Sequence, residues 1–442
     1  MRRGHLFRKM LAFSMTALMA AALAGCGNGS GGGSKGGGQV GEQQNPVSQE
    51  PVTITLYLHT TLDNYDKYIT QHVQKKFPFV TLEFVTRGKG QELVDRIAAN
   101  QVPDIVWEGL WYMTTTATKL DLPMDLTELA KKHKFDFNVF DPALVSMIKS
   151  LSPKGEMLFM PYNSFVFATQ YNKDIFDKFG VPYLKDFMTW EELTEIGRRM
   201  TRELDGVQYR GIQHREANRT QLQMGLAYLD AQGKPTFTTD DRWKKLLDAW
   251  KSAHNVPGQP PFTSFSKGWD DFAKNKVLAI WPDLLMLQNY DMVTAEKNGL
   301  NWDVVTYPSF RDKPNVGTAV SSDGFYITKT TKHPDLAFQI VSYLAADREV
   351  QLEATRNGRI TALKDAEIRK HAFEYNEAAK GKNLQNIFNI QPAATPLGVY
   401  DREGLTVISK KINDYINDKA DANTLLRQAD EELAKAIEQL KK

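Results

Sequence analysis

Side chains able to do metal, redox or covalent chemistry are few in this chain and do not stand at the spacings such chemistry needs. The eight histidines (His5, His59, His72, His133, His214, His254, His333, His371) include no His-x-His and no His-Glu-x-x-His pair, so no histidine metal site is spelled locally. Gly88-Lys-Gly90 is followed by Leu93 where a dinucleotide fingerprint requires its third glycine. The Gly-x-Ser-x-Gly spacing of a nucleophile elbow is missing from every strand-to-helix junction. The 53 acidic residues leave a glycosidase-type carboxylate pair unselected, because that chemistry depends on a distance across a cleft. No cofactor is implied. A lone thiol, Cys26, excludes an intrachain disulfide, so the fold must be held by core packing. What remains is polar side chains beside aromatics: Trp107, Glu108 and Trp111 in one cluster, Trp281 and Asp283 in another. Indoles give rigid, flat contact area and carboxylates accept hydrogen bonds, which is chemistry suited to binding.

The elements that position these groups follow from hydrophobic period. Val52 to Leu58 alternates with β-branched residues and reads as a strand, followed by a polar turn and a helix to Lys76. Val80 to Val85 is a second strand, Gln91 to Asn100 a second helix, and Asp104 to Trp107 a short buried strand. Strand, helix, strand, helix, strand with short links predicts βαβ units with helices on both faces of the sheet. Ligands bind such sheets at the carboxyl ends of the strands. The loops after Leu58, Val85 and Trp107 therefore open on one edge, bringing His59, Thr60, Asp63 and Asn64 from the first loop together with Arg87 from the second. Trp107 is read equally as the core end of its strand or as part of that edge.

The N-terminus gives an address. Arg2, Arg3, Arg8 and Lys9 precede an apolar run from Leu11 to Ala22 and then Leu23-Ala-Gly-Cys26, the layout of an export signal. It resembles a bacterial lipoprotein signal, in which the cysteine is lipidated and becomes the mature N-terminus. Two acyl chains anchor stably where one holds weakly. The expectation is a protein on the outer face of the cytoplasmic membrane, exported by general secretion because Arg2-Arg3 lacks the rest of a twin-arginine pattern. Gly27 to Gly41 is nearly all Gly, Ser and Asn, a flexible spacer. Removing the four basic residues of the signal takes the formal charge from +2 to −2, which argues against nucleic acid or anionic lipid as the main partner.

A run of motifs then carries a resemblance. Pro103-Asp-Ile-Val-Trp107 with Leu120-Asp-Leu-Pro-Met-Asp-Leu126, then Leu158-Phe-Met-Pro-Tyr162, Phe167-Ala-Thr-Gln-Tyr171-Asn-Lys-Asp-Ile-Phe176, Phe179-Gly-Val-Pro182 and Thr189-Trp-Glu-Glu-Leu193 follow one another in order. Phe272 to Trp281, Val304 to Pro308, Ser322 to Ile327 and Lys332 to Phe338 continue the series. Each is weak alone, but their order and spacing together resemble the family 1 extracellular solute-binding proteins, which include the maltose-binding protein. Part of the signature is structural. Thr189 and Glu192 form a capping box, Pro334 opens a helix striped by Leu336, Ala337, Ile340, Val341 and Leu344, and Asn172 to Asp174 turns the chain into a helix.

The resemblance implies an α/β, two-lobed type II periplasmic-binding-protein fold, each lobe a mostly parallel sheet flanked by helices. It divides the chain into a signal at 1–25, a lipidated cysteine with tether at 26–50, a first lobe of 51–162 plus 303–346, and a second of 163–302 plus 347–442. The ligand would lie in the cleft, with Glu108 and Trp111 meeting a sugar ring and Trp281 and Asp283 facing them from the second lobe. His59, Thr60, Asp63, Asn64, Arg87, Asp323, Gly324, Arg359, Tyr400 and Asp401 complete the expected ligand set. The implied function is a monomeric carbohydrate receptor, not an enzyme, delivering an oligosaccharide to the permease subunits of an ABC importer. A secreted carbohydrate-active enzyme and a surface sensor or adhesin are the alternatives. Hinge closure would be driven by contacts to both lobes.

Overall fold

The computed structural model describes residues 50–60 and 62–440, so Cys26 and the glycine tether lie outside the described residues. Residues 50–442 form one compact unit. In chain order its strands are β1 (Val52–Leu58), β2 (Val80–Thr86), β3 (Ile105–Gly109), β4 (Met160–Pro161), β5 (Phe167–Asn172), β6 (Arg202–Leu204), β7 (Val207–Ile212), β8 (Leu278–Leu284), β9 (Trp302–Thr306), β10 (Val316–Ala319), β11 (Asp323–Ile327) and β12 (Gln391–Ala393).

Two five-stranded sheets result, ordered β2-β1-β3-β11-β4 and β6-β7-β8-β5-β9. The expected parallel ladders are β2-β1-β3 in the first sheet and β7-β8 in the second. The strands flanking the passages between sheets run antiparallel: β11 to both β3 and β4, and β5 to both β8 and β9. Each sheet has its own core. Ile54, Leu56, Ile105, Val106 and Trp107 pack with Phe325, Phe338 and Val341 in the first lobe. In the second, Trp190, Trp243 and Trp250 lie on one face of the sheet, and Phe272, Trp281 and Trp302 on the other.

The capping predictions hold in detail. The Thr189 side chain accepts from Glu192 N while the Glu192 side chain reaches back to Thr189, Asn172 accepts from Ile175 N, and Pro334 stands in the first turn of the helix Pro334–Ala346. The first two satisfy helix-start amides that the helix itself leaves open, and Pro334 has no such N–H to satisfy.

Three passages link the lobes and are bonded to one another. Ser164 N donates to Ile360 O at 2.7 Å and Phe165 N to Ser321 O at 2.9 Å, while β10 pairs with β12 in a small ladder of its own. The expected boundaries need correction at two of these passages. Strand β9, placed by the sequence reading almost wholly in the first lobe, pairs with β5 in the second sheet. At Asp347 the chain does not leave the first lobe. The Asp347 carboxylate caps a new helix, Arg348–Arg356, which folds back so that Val350, Ala354, Leu363 and Ile368 join the first core. Ile360 touches the second lobe's core in passing, and the chain joins that core with Phe373 and Ala378.

Candidate functional site

The first wall is built at the carboxyl ends of β1, β2 and β3. His59 N donates to Trp107 O and Arg87 N to Leu58 O, which ties the loops after all three strands together. His59, Thr60, Asp63 and Arg87 then line one open cavity of about 770 Å³ with Leu62, Tyr65, Glu92 and Tyr112. Asn64 sits beside it with a left-handed φ of 57°, and its carbonyl accepts from Lys67 and Tyr68 N. It shapes the turn, and its side chain is a natural one for that conformation.

Glu108 is fully buried, and neither carboxylate oxygen has a hydrogen-bond partner. His59 Nε2 stands 3.5 Å from Glu108 Oε1 and 3.5 Å from Arg87 Nη1. Burial pushes the Glu108 carboxyl up to about 8, with Arg87 opposing and Asp323 reinforcing the shift. Burial, and then the Arg87 charge, lower the His59 imidazole to about 4. At neutral pH the pair is a neutral acid beside a neutral base. Behind them Asp323 is buried, 3.7 Å from Arg359 Nη1, and is raised by burial to about 7. Gly109 makes room for this carboxyl, since a Cβ there would lie 3.2 Å from Asp323 Oδ1.

The second wall centres on Asp283, near the end of β8. Arg219 Nε lies 3.7 Å from its Oδ1 and Arg215 Nε 3.7 Å from its Oδ2. Both separations exceed hydrogen-bond range, and Asp283 Oδ1 and Arg219 Nε are buried without partners. Burial raises this carboxyl to about 6 against the pull of both guanidiniums. Sequence reading missed the two arginines. Arg219 stands in the helix Ala217–Met224 while Arg215 precedes its extended cap, Glu216, so no helical spacing announces the pair.

Several expected contacts are elsewhere. Trp281 is wholly buried, against Phe272 and Tyr290, and a Cβ at Gly268 would come within 2.6 Å of its indole nitrogen. Strand β8 continues to Leu284, so this indole is one pleat below the edge and not on it. The aromatic surface nearby is instead Tyr290, half-buried and stacked on Trp269 at 4.0 Å. Trp107 belongs to the core, between Tyr162 and Phe325. Trp111 packs on the first core, while Tyr112, 6.1 Å from the His59 ring, lines the cavity. Gly324 is required by packing: a Cβ there would run into Met160 O and the Phe159 ring, so β11 approaches β4 closely at this point. Asp401 is buried and accepts from Gly398 N at 2.9 Å, closing the turn into the helix Asp401–Ile416. Tyr400, before it, is half-buried with Lys119 Nζ 5.7 Å from its ring centre. Among the described residues no cluster of three or more His, Cys, Asp or Glu is placed to hold a metal ion.

Two sheet-and-helix lobes joined by three bonded passages, with polar walls at the strand ends, define the two-lobed type II binding fold. The chain belongs to the bacterial extracellular solute-binding protein family, whose profile matches residues 60–351. No curated protein sequence matches it. Solved structures do. An ABC substrate-binding protein of Listeria monocytogenes, in complex with cycloalternan, is 18% identical with a TM-score of 0.65, covering 87% of this chain and 98% of that one. A cyclic alpha-maltosyl-1,6-maltose binding protein of Arthrobacter globiformis is 16% identical with a TM-score of 0.67, over 87% and 98% of the two chains. A sugar transporter protein of Rhizobium etli in an open conformation is 20% identical with a TM-score of 0.68, over 87% and 99%. At these identities the likeness is one of fold.

Proposed function

We propose that this protein is a lipid-anchored receptor that binds an oligosaccharide between its lobes and delivers it to the permease of an ABC importer. The observation that carries the reading is the set of buried polar atoms without partners in both walls: Glu108 Oε1 and Oε2, His59 Nδ1 and Thr60 Oγ1 on one side, Asp283 Oδ1 and Arg219 Nε on the other. Buried polar groups are normally hydrogen-bonded, and a solute with many hydroxyls, each both donor and acceptor, satisfies acceptors and donors together. Tyr112 and the Trp269–Tyr290 stack supply aromatic faces for the apolar sides of sugar rings. The ligands named for the Listeria and Arthrobacter proteins, cycloalternan and a cyclic maltosyl-maltose, favour the same class.

Calorimetric titration against mono- and oligosaccharides tests the proposal. Heat with an oligosaccharide supports it; heat only with peptides, polyamines or metal ions overturns the substrate class. Product formed on incubation with polysaccharides would instead support an enzyme.

A further inference from the structure

Two charged side chains 284 residues apart join the lobes directly. Lys119 Nζ lies 2.7 Å from Glu403 Oε1. Each is fixed to its own lobe by close neighbours. Lys119 stands between Ala117 and Leu122, both buried in the first core. Glu403 precedes Gly404, which is pressed so tightly on Tyr228 of the second core that a Cβ would come within 2.3 Å of that ring. The side chains are 25% and 17% exposed, so the pair is only partly screened. The ammonium also lies over the Tyr400 ring, and the second Glu403 oxygen is buried without a partner. A second charge follows the same path: Arg402, beside Glu403, is near enough to His59 across the cleft to lower its proton affinity.

We propose that Lys119 and Glu403 are an interlobe latch, an ion pair that exists only while the lobes are together and biases the hinge toward the closed form. Because both ends are anchored in separate cores, a rotation that parts the lobes must break the pair before it strains either lobe. Ligand contacts then add to a preference already present, in the manner of any population shift. Partly exposed pairs of this kind change an equilibrium by up to about fivefold. The inference concerns the hinge and not the identity of the solute, so it stands or falls separately from the carbohydrate reading.

The test is small-angle scattering on the compact unit from Glu50 onward, with no sugar added. Lys119→Ala and Glu403→Ala should each increase the radius of gyration, with circular dichroism and melting confirming that both variants are folded. The charge-swapped double variant, Lys119→Glu with Glu403→Lys, should return it toward the parent value. Raising sodium chloride to about 1 M, where the screening length is about 3 Å, should expand the parent protein and leave Lys119→Ala unmoved. Single variants that scatter like the parent, or a swapped double as expanded as the singles, would overturn the latch.

Discussion

Arg219 Nε and Asp283 Oδ1 face each other at 3.7 Å in the second lobe, both buried and neither hydrogen-bonded. A buried guanidinium and carboxylate left to themselves close to hydrogen-bond length. Here the carboxylate is shared with Arg215 at the same 3.7 Å, and being held between two guanidiniums keeps it from closing fully on either. The proposed ligand contact is a hydroxyl beside this pair, accepting from the arginine and donating to the aspartate.

Asp283→Asn tests that contact. The amide keeps the shape but presents a donor where the ligand hydroxyl must donate, and it leaves two guanidiniums without their shared counter-charge. Loss of a charged hydrogen bond is worth roughly 1.5–3 kcal/mol. Affinity measured by calorimetry should therefore fall on the order of 10- to 100-fold. An unchanged affinity would remove Asp283 from the site.

Glu108 predicts a pH dependence with a definite sign. Its ordinary value is 4.5 and its folded value is about 8. Between those limits the unfolded chain has lost the proton while the fold retains it, so this group's stabilising effect is complete below pH 4.5 and lost as pH rises through 8. Asp323, raised from 3.8 to about 7, acts in the same direction at slightly lower pH. His59 is lowered from 6.5 to about 4 and the buried His214 to about 3, so the fold also loses stability as pH falls below 6.5. Denaturant melts at pH 5, 7 and 9 should show Glu108→Gln flattening the alkaline limb alone, with a gain at pH 9 on the order of 2 kcal/mol. An identical alkaline limb in parent and variant would mean that Glu108 is already ionised.

Trp281 and Tyr290 separate a core aromatic from a cleft aromatic. Trp281→Ala should cost about 3–5 kcal/mol of folding stability through the cavity it leaves, while Trp281→Phe should retain ligand affinity. Tyr290→Ala should melt near the parent temperature and bind sugar about 2- to 10-fold more weakly, the worth of one stacked ring. If Trp281→Phe weakens binding more than Tyr290→Ala, the roles are reversed.

What could be read from sequence divides along a physical line. Period-two alternation placed β1 at its true limits, Val52 and Leu58, and capping chemistry placed helix starts at Asn172, Thr189 and Pro334, because both signals are local. Loops tied to strand ends were also legible, which is why His59, Thr60, Asp63 and Arg87 meet around one cavity. The failures depend on where a strand stops or what lies across from it. Extending β8 to Leu284 buries Trp281. The approach of Met160 to Gly324 turns an apparent loop glycine into a packing requirement. The partners of Asp283 come from a segment more than sixty residues away, and no periodicity reports a pairing of that kind.

Cys26 gives the last prediction, since the proposed anchor and the binding site are separate parts of the molecule. Every candidate ligand contact lies at or beyond His59 in the sequence, whereas the proposed lipid attachment is at Cys26. The proposed anchoring would instead raise the receptor's concentration beside a permease, an effect on encounter and not on affinity. Cys26→Ala should leave the sugar titration unchanged, move the protein from the membrane fraction to the medium or soluble fraction, and reduce sugar uptake by whole cells. A fall in affinity with membrane association intact would show that Cys26 is part of the folded protein and not its anchor.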